Sequence, residues 1–460
     1  MTQLHELSAL DQATAVRRGE VSTRELVEHH LARIEEHSSR LGAFVTLTPE
    51  AALAAHPTSD GPLAGVPTAV KDLNATAGVR TTYGSVLMRD YVPQHSDEVV
   101  LRLQRAGLVS LGKTNTPEFG SPCYTEPDPS IAPPAVTPWD TTRMAGGSSG
   151  GAATAVAAGL VPVAQGSDGG GSIRIPASCC GIVGFKPSRG VVSSAPGYGD
   201  PIGLATSGPL ARTVRDAAAL LDVLAGRAVG DPYWTPTQPY LAACDVEPRR
   251  LRVARFVEPI LMDAEVHPAC HRAWEDASRL LESLGHEVED VPVPIPREAA
   301  EVFLTCWTVL TAVTPVPAEQ RHLLRPLTRW QIEQGEQVSG PDFGRAIGET
   351  RRIAARALAA LAAYDVVLTP TLAQPPLPVG VLRDDEDPEA DFHAQGRFTP
   401  WTSSWNITGM PAVSLPLHQS DDGLPVGVML AGRPGEDAAL FSLAAQVEAA
   451  RPWADRRPSI

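Results

Sequence analysis

Residues 145–190 read AGGSSGGAATAVAAGLVPVAQGSDGGGSIRIPASCCGIVGFKPSRG. Two serine sites, Ser148-Ser149 and Ser172, sit among glycines, separated by an apolar run rich in alanine and valine. Glycine has no Cβ, so backbone built from it can come close to a reacting group. A Ser/Gly linker has a similar composition, but the apolar residues on both sides read as buried structure. The stretch therefore reads as the floor of an active site. Ala152–Ala158 predicts a small-residue helix after the double serine, and Val161–Gln165 a strand leading to Ser172.

The same alternation extends outward. Upstream, Pro67–Val70 predicts a short buried strand that delivers Lys71 and Asp72. Ser96–Ala106 predicts an amphipathic helix capped by Ser96, and Leu108–Leu111 a strand. Downstream come a helix over Arg212–Leu224, a strand at Leu251–Ala254 and a helix ending at Gly285. Tyr364–Thr369, Ala412–Pro416 and Val426–Leu430 read as strands, and Glu436–Ala450 as a last helix. Alternation of this kind implies an α/β fold around a largely buried sheet. At the front, Ser8 caps a helix running to about Gly19. Ser22-Thr23-Arg24-Glu25 forms a capping box for a second helix through about Ser38, and both predict a cover on the main body.

Composition narrows the function. The chain has 460 residues, 43% hydrophobic and 20% charged, enough to bury a sizeable core. A net charge of −15 disfavours nucleic acid as a partner, because phosphate binding needs concentrated Lys and Arg. No apolar run reaches the roughly 18–20 residues of a membrane span, and MTQLHELSALDQ lacks the pattern of a secretory signal. The six cysteines are irregularly spaced with no C-x-x-C pair, so reduced thiols in the cytoplasm and no zinc site are expected.

Two short motifs mislead. Gly107–Thr114 matches G-x-x-x-x-G-K-[ST], yet its interior LVSL is apolar and strand-like, whereas a phosphate-binding loop must curl around its ligand. Gly146–Gly150 matches the G-x-S-x-G nucleophile elbow, yet the residues before it, Trp139 to Met144, form a polar loop rather than a buried strand. The late histidines that arrangement would call on, His393 and His418, stand in no telling context. Without a placed histidine the serines need another base. A lysine can serve if burial lowers its pKa toward neutrality. On the residues alone, Lys71 stands open between that role and a surface lysine paired with Asp72.

A wider pattern decides between them. Gly65-Val66-Pro67 with Lys71-Asp72, Gly112–Asn115, Gly146–Gly151, Ser167–Pro176, Gly181–Pro187 and Asn406–Ala412 together resemble the amidase signature family over nearly the whole chain. The resemblance implies a large mixed, twisted β-sheet covered by helices on both faces. It divides one compact domain into an N-terminal helical cover (1–60), a signature core (61–230), a variable and mostly helical substrate-bordering region (231–390) and a C-terminal return to the core (391–460). The acidic, proline-rich piece Pro375–Asp391 is expected as a surface loop.

The resemblance also implies a Ser–Ser–Lys triad: Ser172 as nucleophile, Ser148 as bridging serine after a cis peptide at Gly147–Ser148, and Lys71 as base. An oxyanion hole is expected from the backbone of Gly169, Gly170 and Gly171. Position 169 departs from the family pattern, which usually has a larger residue there. Asp168 and Arg174 are expected to pair beneath the nucleophile. Cys123-Tyr124, Cys306-Trp307 and Trp401–Trp405, with Trp405 foremost, fall where family members line the acyl and leaving-group sides, and each could equally be core. Ser149 is expected beside the substrate as a hydrogen-bonding neighbour. No metal and no cofactor are implied. The texture of Thr114–Glu118 and Phe303–Cys306 is similar to the 6-aminohexanoate cyclic-dimer hydrolase and broad-specificity amidase branch. The expected function is hydrolysis of a small linear or cyclic amide, xenobiotic ones included. The runner-up is the glutaminase A subunit of a tRNA-dependent amidotransferase. A homodimer stays open, and neither nucleic acid nor membrane is expected as partner.

Overall fold

The computed structural model describes residues 3–57 and 59–460. Eleven strands form one sheet: β1 (Phe44–Leu47), β2 (Pro67–Lys71), β3 (Val109–Thr114), β4 (Val163–Asp168), β5 (Val183–Lys186), β6 (Thr206–Ala211), β7 (Arg252–Arg255), β8 (Glu287–Asp290), β9 (Val366–Pro370), β10 (Ala412–Gln419) and β11 (Pro425–Gly432). Their order is β1-β3-β2-β4-β6-β5-β10-β11-β9-β7-β8. β2 runs parallel to β3 and β4, while β4 and β6 pair antiparallel, so the sheet is mixed.

Both faces are buried, as the period-two geometry of a strand shows. On β2, Val70 joins one hydrophobic cluster and Ala69 the other; on β4, Val163 and Ala164 divide in the same way. The first cluster includes Leu220 and Leu221 from the helix Val214–Leu224, and Phe441 from Asp437–Ala450. The second includes Ala152 and Val156 from Gly150–Ala157, with Ile34 from Thr23–Leu41. A sheet buried on both faces along its central strands needs helices on both sides, while the edge strands β1 and β8 stay partly exposed.

Local signals set the helix ends. Ser8 accepts the Asp11 N–H at 3.0 Å and starts the helix Ala9–Arg17. Ser22 and Glu25 form the reciprocal capping box of Thr23–Leu41, which runs three residues past the expected end. Ser96 does not cap the next helix: its hydroxyl accepts the Ala77 N–H instead, and the helix Glu98–Arg105 begins after Asp97. The phosphate-loop lookalike ends in strand β3, so its backbone is extended and Lys113 is buried. Residues 231–390 contribute β7, β8 and β9 to the sheet as well as helices. The predicted loop 375–391 gives way at Pro388 to a helix, Pro388–Phe398, capped by Asp387. No helix among the described residues is long and apolar enough to cross a membrane.

Candidate active site

Because β2 and β4 run parallel, their C-terminal ends reach the same edge of the sheet, the edge where α/β folds place ligands. Val70 pairs with Gln165, which brings Lys71 beside Ser167. Lys71 is completely buried. Its Nζ donates to Ser148 Oγ at 2.7 Å and to Ser167 Oγ at 3.0 Å. Burial lowers its pKa to about 7, against a smaller upward pull from Asp168. Its neighbour Asp72 turns away to the Thr82 hydroxyl and N–H, so the two do not form a surface pair.

Ser148 is 2% exposed, and the peptide bond before it, Gly147–Ser148, is cis. Ser149 lies off the substrate side. Its hydroxyl donates to Ser167 O and accepts the Ser167 N–H, pinning the serine loop to β4. The helix Gly150–Ala157 then starts directly from the loop.

Beyond β4 the chain turns through Gly169–Ser172 into the helix Arg174–Cys180. Asp168 and Arg174 are both fully buried beneath this turn and joined by two hydrogen bonds, of 2.8 and 2.9 Å. Burial pushes the Asp168 carboxyl up, but the Arg174 charge and hydrogen bonds outweigh it and hold the pKa at about 2. Asn406 completes the bracing, donating to Asp168 and accepting from Arg174. Asp168 also accepts the N–H groups of Gly171 at 2.8 Å and Ile173 at 3.2 Å. This corrects one expectation: Gly171 cannot offer its N–H to an oxyanion, because Asp168 already takes it. The N–H groups of Gly169, Gly170 and Ser172 have no acceptor among the described residues.

Ser172 lines a cavity of about 230 Å³ with Gly170 and Ile175. Its hydroxyl has no side-chain hydrogen bond among the described residues, to Ser148 or to any other. Cys123 lines the same cavity, its N–H held by Gln395. Three other expected lining residues do not. Tyr124 donates to Asp391 at 2.6 Å behind the wall. Cys306 is core, with Sγ 3.7 Å from Thr350 Oγ1. Trp405 is also core and fully buried.

Trp307, expected beside Cys306, does line the cavity, whose wall comes from the helix Ala299–Ala312 through Ala300, Phe303, Leu304 and Trp307, with Glu301 beside them. Those positions follow the i, i+3, i+4, i+7 spacing of one helix face. That spacing was available in the sequence; Cys306 is one residue, or about 100°, off it. The opposite wall comes from Phe392, His393, Gln395 and Gly396 on the helix Pro388–Phe398. Among the described residues no group of three or more His, Cys, Asp or Glu side chains is placed to hold a metal.

The Amidase family model matches residues 25–441. A 6-aminohexanoate-cyclic-dimer hydrolase of Paenarthrobacter ureafaciens is 36% identical over 479 residues, covering 98% of this chain and 96% of that protein. A putative amidase of Synechocystis sp. is 36% identical over 464 residues, covering 97% of this chain and 89% of its own length. The solved structure of a 6-aminohexanoate cyclic dimer hydrolase superposes with a TM-score of 0.93 at 34% identity, over 100% of this chain and 99% of that one. Matches of this extent mean that the chain belongs to the amidase signature family and is a hydrolase of amide carbon–nitrogen bonds.

Proposed function

We propose that this amidase cleaves a small, neutral, largely apolar amide, linear or cyclic, through an acyl-enzyme on Ser172, with Ser148 as proton relay and Lys71 as base. The observation that carries the reading is the buried Lys71 amine, with its pKa near 7, bonded to Ser148 Oγ at the strand edge where Ser172 faces the cavity. Neutral Lys71 accepts the Ser148 proton, and Ser148 accepts the proton of Ser172 as Ser172 Oγ attacks the amide carbon. The carbonyl π pair moves to oxygen. That oxyanion is met by the free N–H groups of the Gly169–Ser172 turn, and fixed donors of this kind are worth about 10²–10³ in rate each. The proton returns through Ser148 to the leaving nitrogen as the C–N bond breaks. Water then attacks the ester, with the same relay removing its proton, and restores Ser172.

The substrate class follows from the lining. Ile175, Leu261, Met262, Phe303, Leu304, Trp307 and Phe392 make the cavity mainly apolar, and among the described residues Glu301 and His393 are its only ionisable side chains besides Cys123. Among the described residues no Lys or Arg lines it to accept a carboxylate. This counts against glutamine, and so against the amidotransferase A-subunit reading. The likeness to the cyclic-dimer hydrolases supports amides whose acyl and amine parts are alkyl chains.

Purified protein offered glutamine, aryl amides, small aliphatic amides and cyclic lactam oligomers tests both statements. Hydrolysis of apolar amides that disappears in Ser172→Ala is the expected result. Undiminished hydrolysis in that variant would remove Ser172 as nucleophile, and activity confined to glutamine would overturn the substrate class.

A further inference from the structure

At the turn from Gly169 to Ser172 an indole ring packs where a side chain at 169 would stand. A Cβ added at Gly169 would lie 3.3 Å from Trp307 Cζ3 and 3.4 Å from Cη2. One added at Gly170 would lie 3.3 Å from Phe303 Cζ and 3.9 Å from Trp307 Cζ3. The Trp307 indole thus rests against the bare backbone of residues whose N–H groups are free. Phe303, one turn earlier, stacks on it with ring centroids 5.3 Å apart.

The ring is also held in plane. Its Nε1 donates to Ser121 Oγ at 3.1 Å, and Ser121 in turn donates to Gln331 Oε1 at 2.6 Å. One rotamer is therefore fixed from two sides, by a hydrogen-bond chain at the nitrogen and by the glycines at the benzene edge. Both Ser121 and Trp307 line the cavity that Ser172 faces.

We propose that Trp307 is the specificity-determining residue of this amidase: its indole, seated on Gly169 and Gly170 and locked by Ser121, is the apolar wall against which the alkyl part of the amide packs. Glycine at 169 is the counterpart of that wall. A contact of 3.3 Å is tighter than most Cβ atoms make, so an alanine there pushes the ring back by a few tenths of an ångström and a larger side chain displaces it further. Preference for long apolar amides then depends on two positions that act as one unit. The inference rests on the Ser172 reading above for the location of the reacting carbonyl.

The experiment measures kcat and KM for N-hexylhexanamide and N-ethylpropanamide in the parent enzyme and in Trp307→Phe, Trp307→Ala, Gly169→Ala and the Gly169→Ala/Trp307→Ala double variant. Trp307→Ala should lower kcat/KM for the long amide by about tenfold or more, mostly through KM, and for the short one by less than about threefold. Trp307→Phe should restore the long-amide preference to within about threefold of the parent. Gly169→Ala should shift the long-to-short preference in the same direction as Trp307→Ala by a smaller factor, yet leave it unchanged within about twofold when Trp307 is already alanine, because the ring it pushes is gone. Equal losses on both amides in Trp307→Ala, or a Gly169→Ala effect that persists in full in the double variant, would overturn the proposal. Trp307→Leu carries the same expectation if the alanine variant does not fold. Ser172→Ala on the same amides separates the two levels. Turnover in that variant removes the nucleophile reading, whereas a silent Ser172→Ala with unchanged selectivity at 307 removes only this inference.

Discussion

Lys71 Nζ lies 2.7 Å from Ser148 Oγ, and the lysine is closed off from water while the serine is nearly so. A buried amine without a carboxylate in contact favours its neutral form, which is why its pKa falls to about 7. Below that value Lys71 holds its proton and cannot accept one; above it the amine is free. Under the proposed mechanism kcat/KM therefore rises about tenfold per pH unit below 7 and levels off above it. A pH–rate profile that is flat from pH 5 to 8, or falls, contradicts lysine as the base.

Removing the relay separates binding from chemistry. Ser148→Ala should leave the cavity walls in place and lower kcat by about 10²–10⁴ with KM little changed. Lys71→Met should lose as much activity, yet fold at least as well as the parent, since an apolar side chain of similar length replaces a buried amine. Steady-state kinetics with a thermal melt read both. A Lys71→Met variant that retains its turnover would contradict the account.

The Asp168–Arg174 pair should matter to stability before it matters to rate. Asp168→Asn leaves a buried guanidinium without its counter-charge, a change that costs about 3–5 kcal/mol. Because the native carboxyl is held at about 2, against an ordinary value near 4, its contribution is complete above about pH 4. It is lost as pH falls from there through 2, on the order of 2 kcal/mol in all. Urea unfolding of parent and variant at pH 3 and pH 7 measures both. An Asp168→Asn variant as stable as the parent at pH 7 would mean that the pair does not brace the turn.

Two glycines test the packing behind the serine loop. A Cβ at Gly151 would lie 2.4 Å from Asn115 N and 2.5 Å from Ala43 O, backbone atoms that cannot retreat. Gly151→Ala should destabilise the protein by at least about 1–3 kcal/mol. Gly344 sits exposed inside the helix Gly340–Ala360 with nothing within 4 Å. Gly344→Ala should gain up to about 1 kcal/mol from helix propensity. Chemical denaturation decides, and equal effects at the two sites would refute the close approach at Gly151.

The sequence showed some of this architecture plainly and hid other parts for physical reasons. Pro67–Val70 and Val161–Gln165 were legible as strands because they are short apolar runs, and their parallel pairing gathers the site at one edge. β6 was hidden: TSGPLA has Gly208 and Pro209 inside a strand that pairs on both sides, where proline is normally absent. β8, EVED, has no buried face, so it carries no alternation to read. The helix Pro388–Phe398 had its start signals, Asp387 as cap and proline at the first turn, but prolines upstream made the segment read as loop.

The cavity was harder to read than the serine–lysine cluster. Ser148 and Ser172 belong to short motifs whose glycines announce them, whereas Lys71 follows an apolar run that fits a core strand end and a surface pair equally, so only the family resemblance singled it out. Cys306 and Trp307 read alike as candidate lining residues, and only the spacing of the helix face sets Trp307, which lines the cavity, apart from Cys306, which faces the core. The glycine turn was legible in the sequence, but which of its N–H groups are free was not, since the capture of the Gly171 N–H depends on where the Asp168 carboxylate points.

Under the proposed mechanism the acyl group passes through Ser172. Enzyme mixed with N-hexylhexanamide and quenched in acid within a turnover can be digested and the peptides weighed. A hexanoyl mass increment on Ser172, absent from Ser172→Ala, is the predicted result. An increment on another residue, or steady hydrolysis by Ser172→Ala, would contradict it.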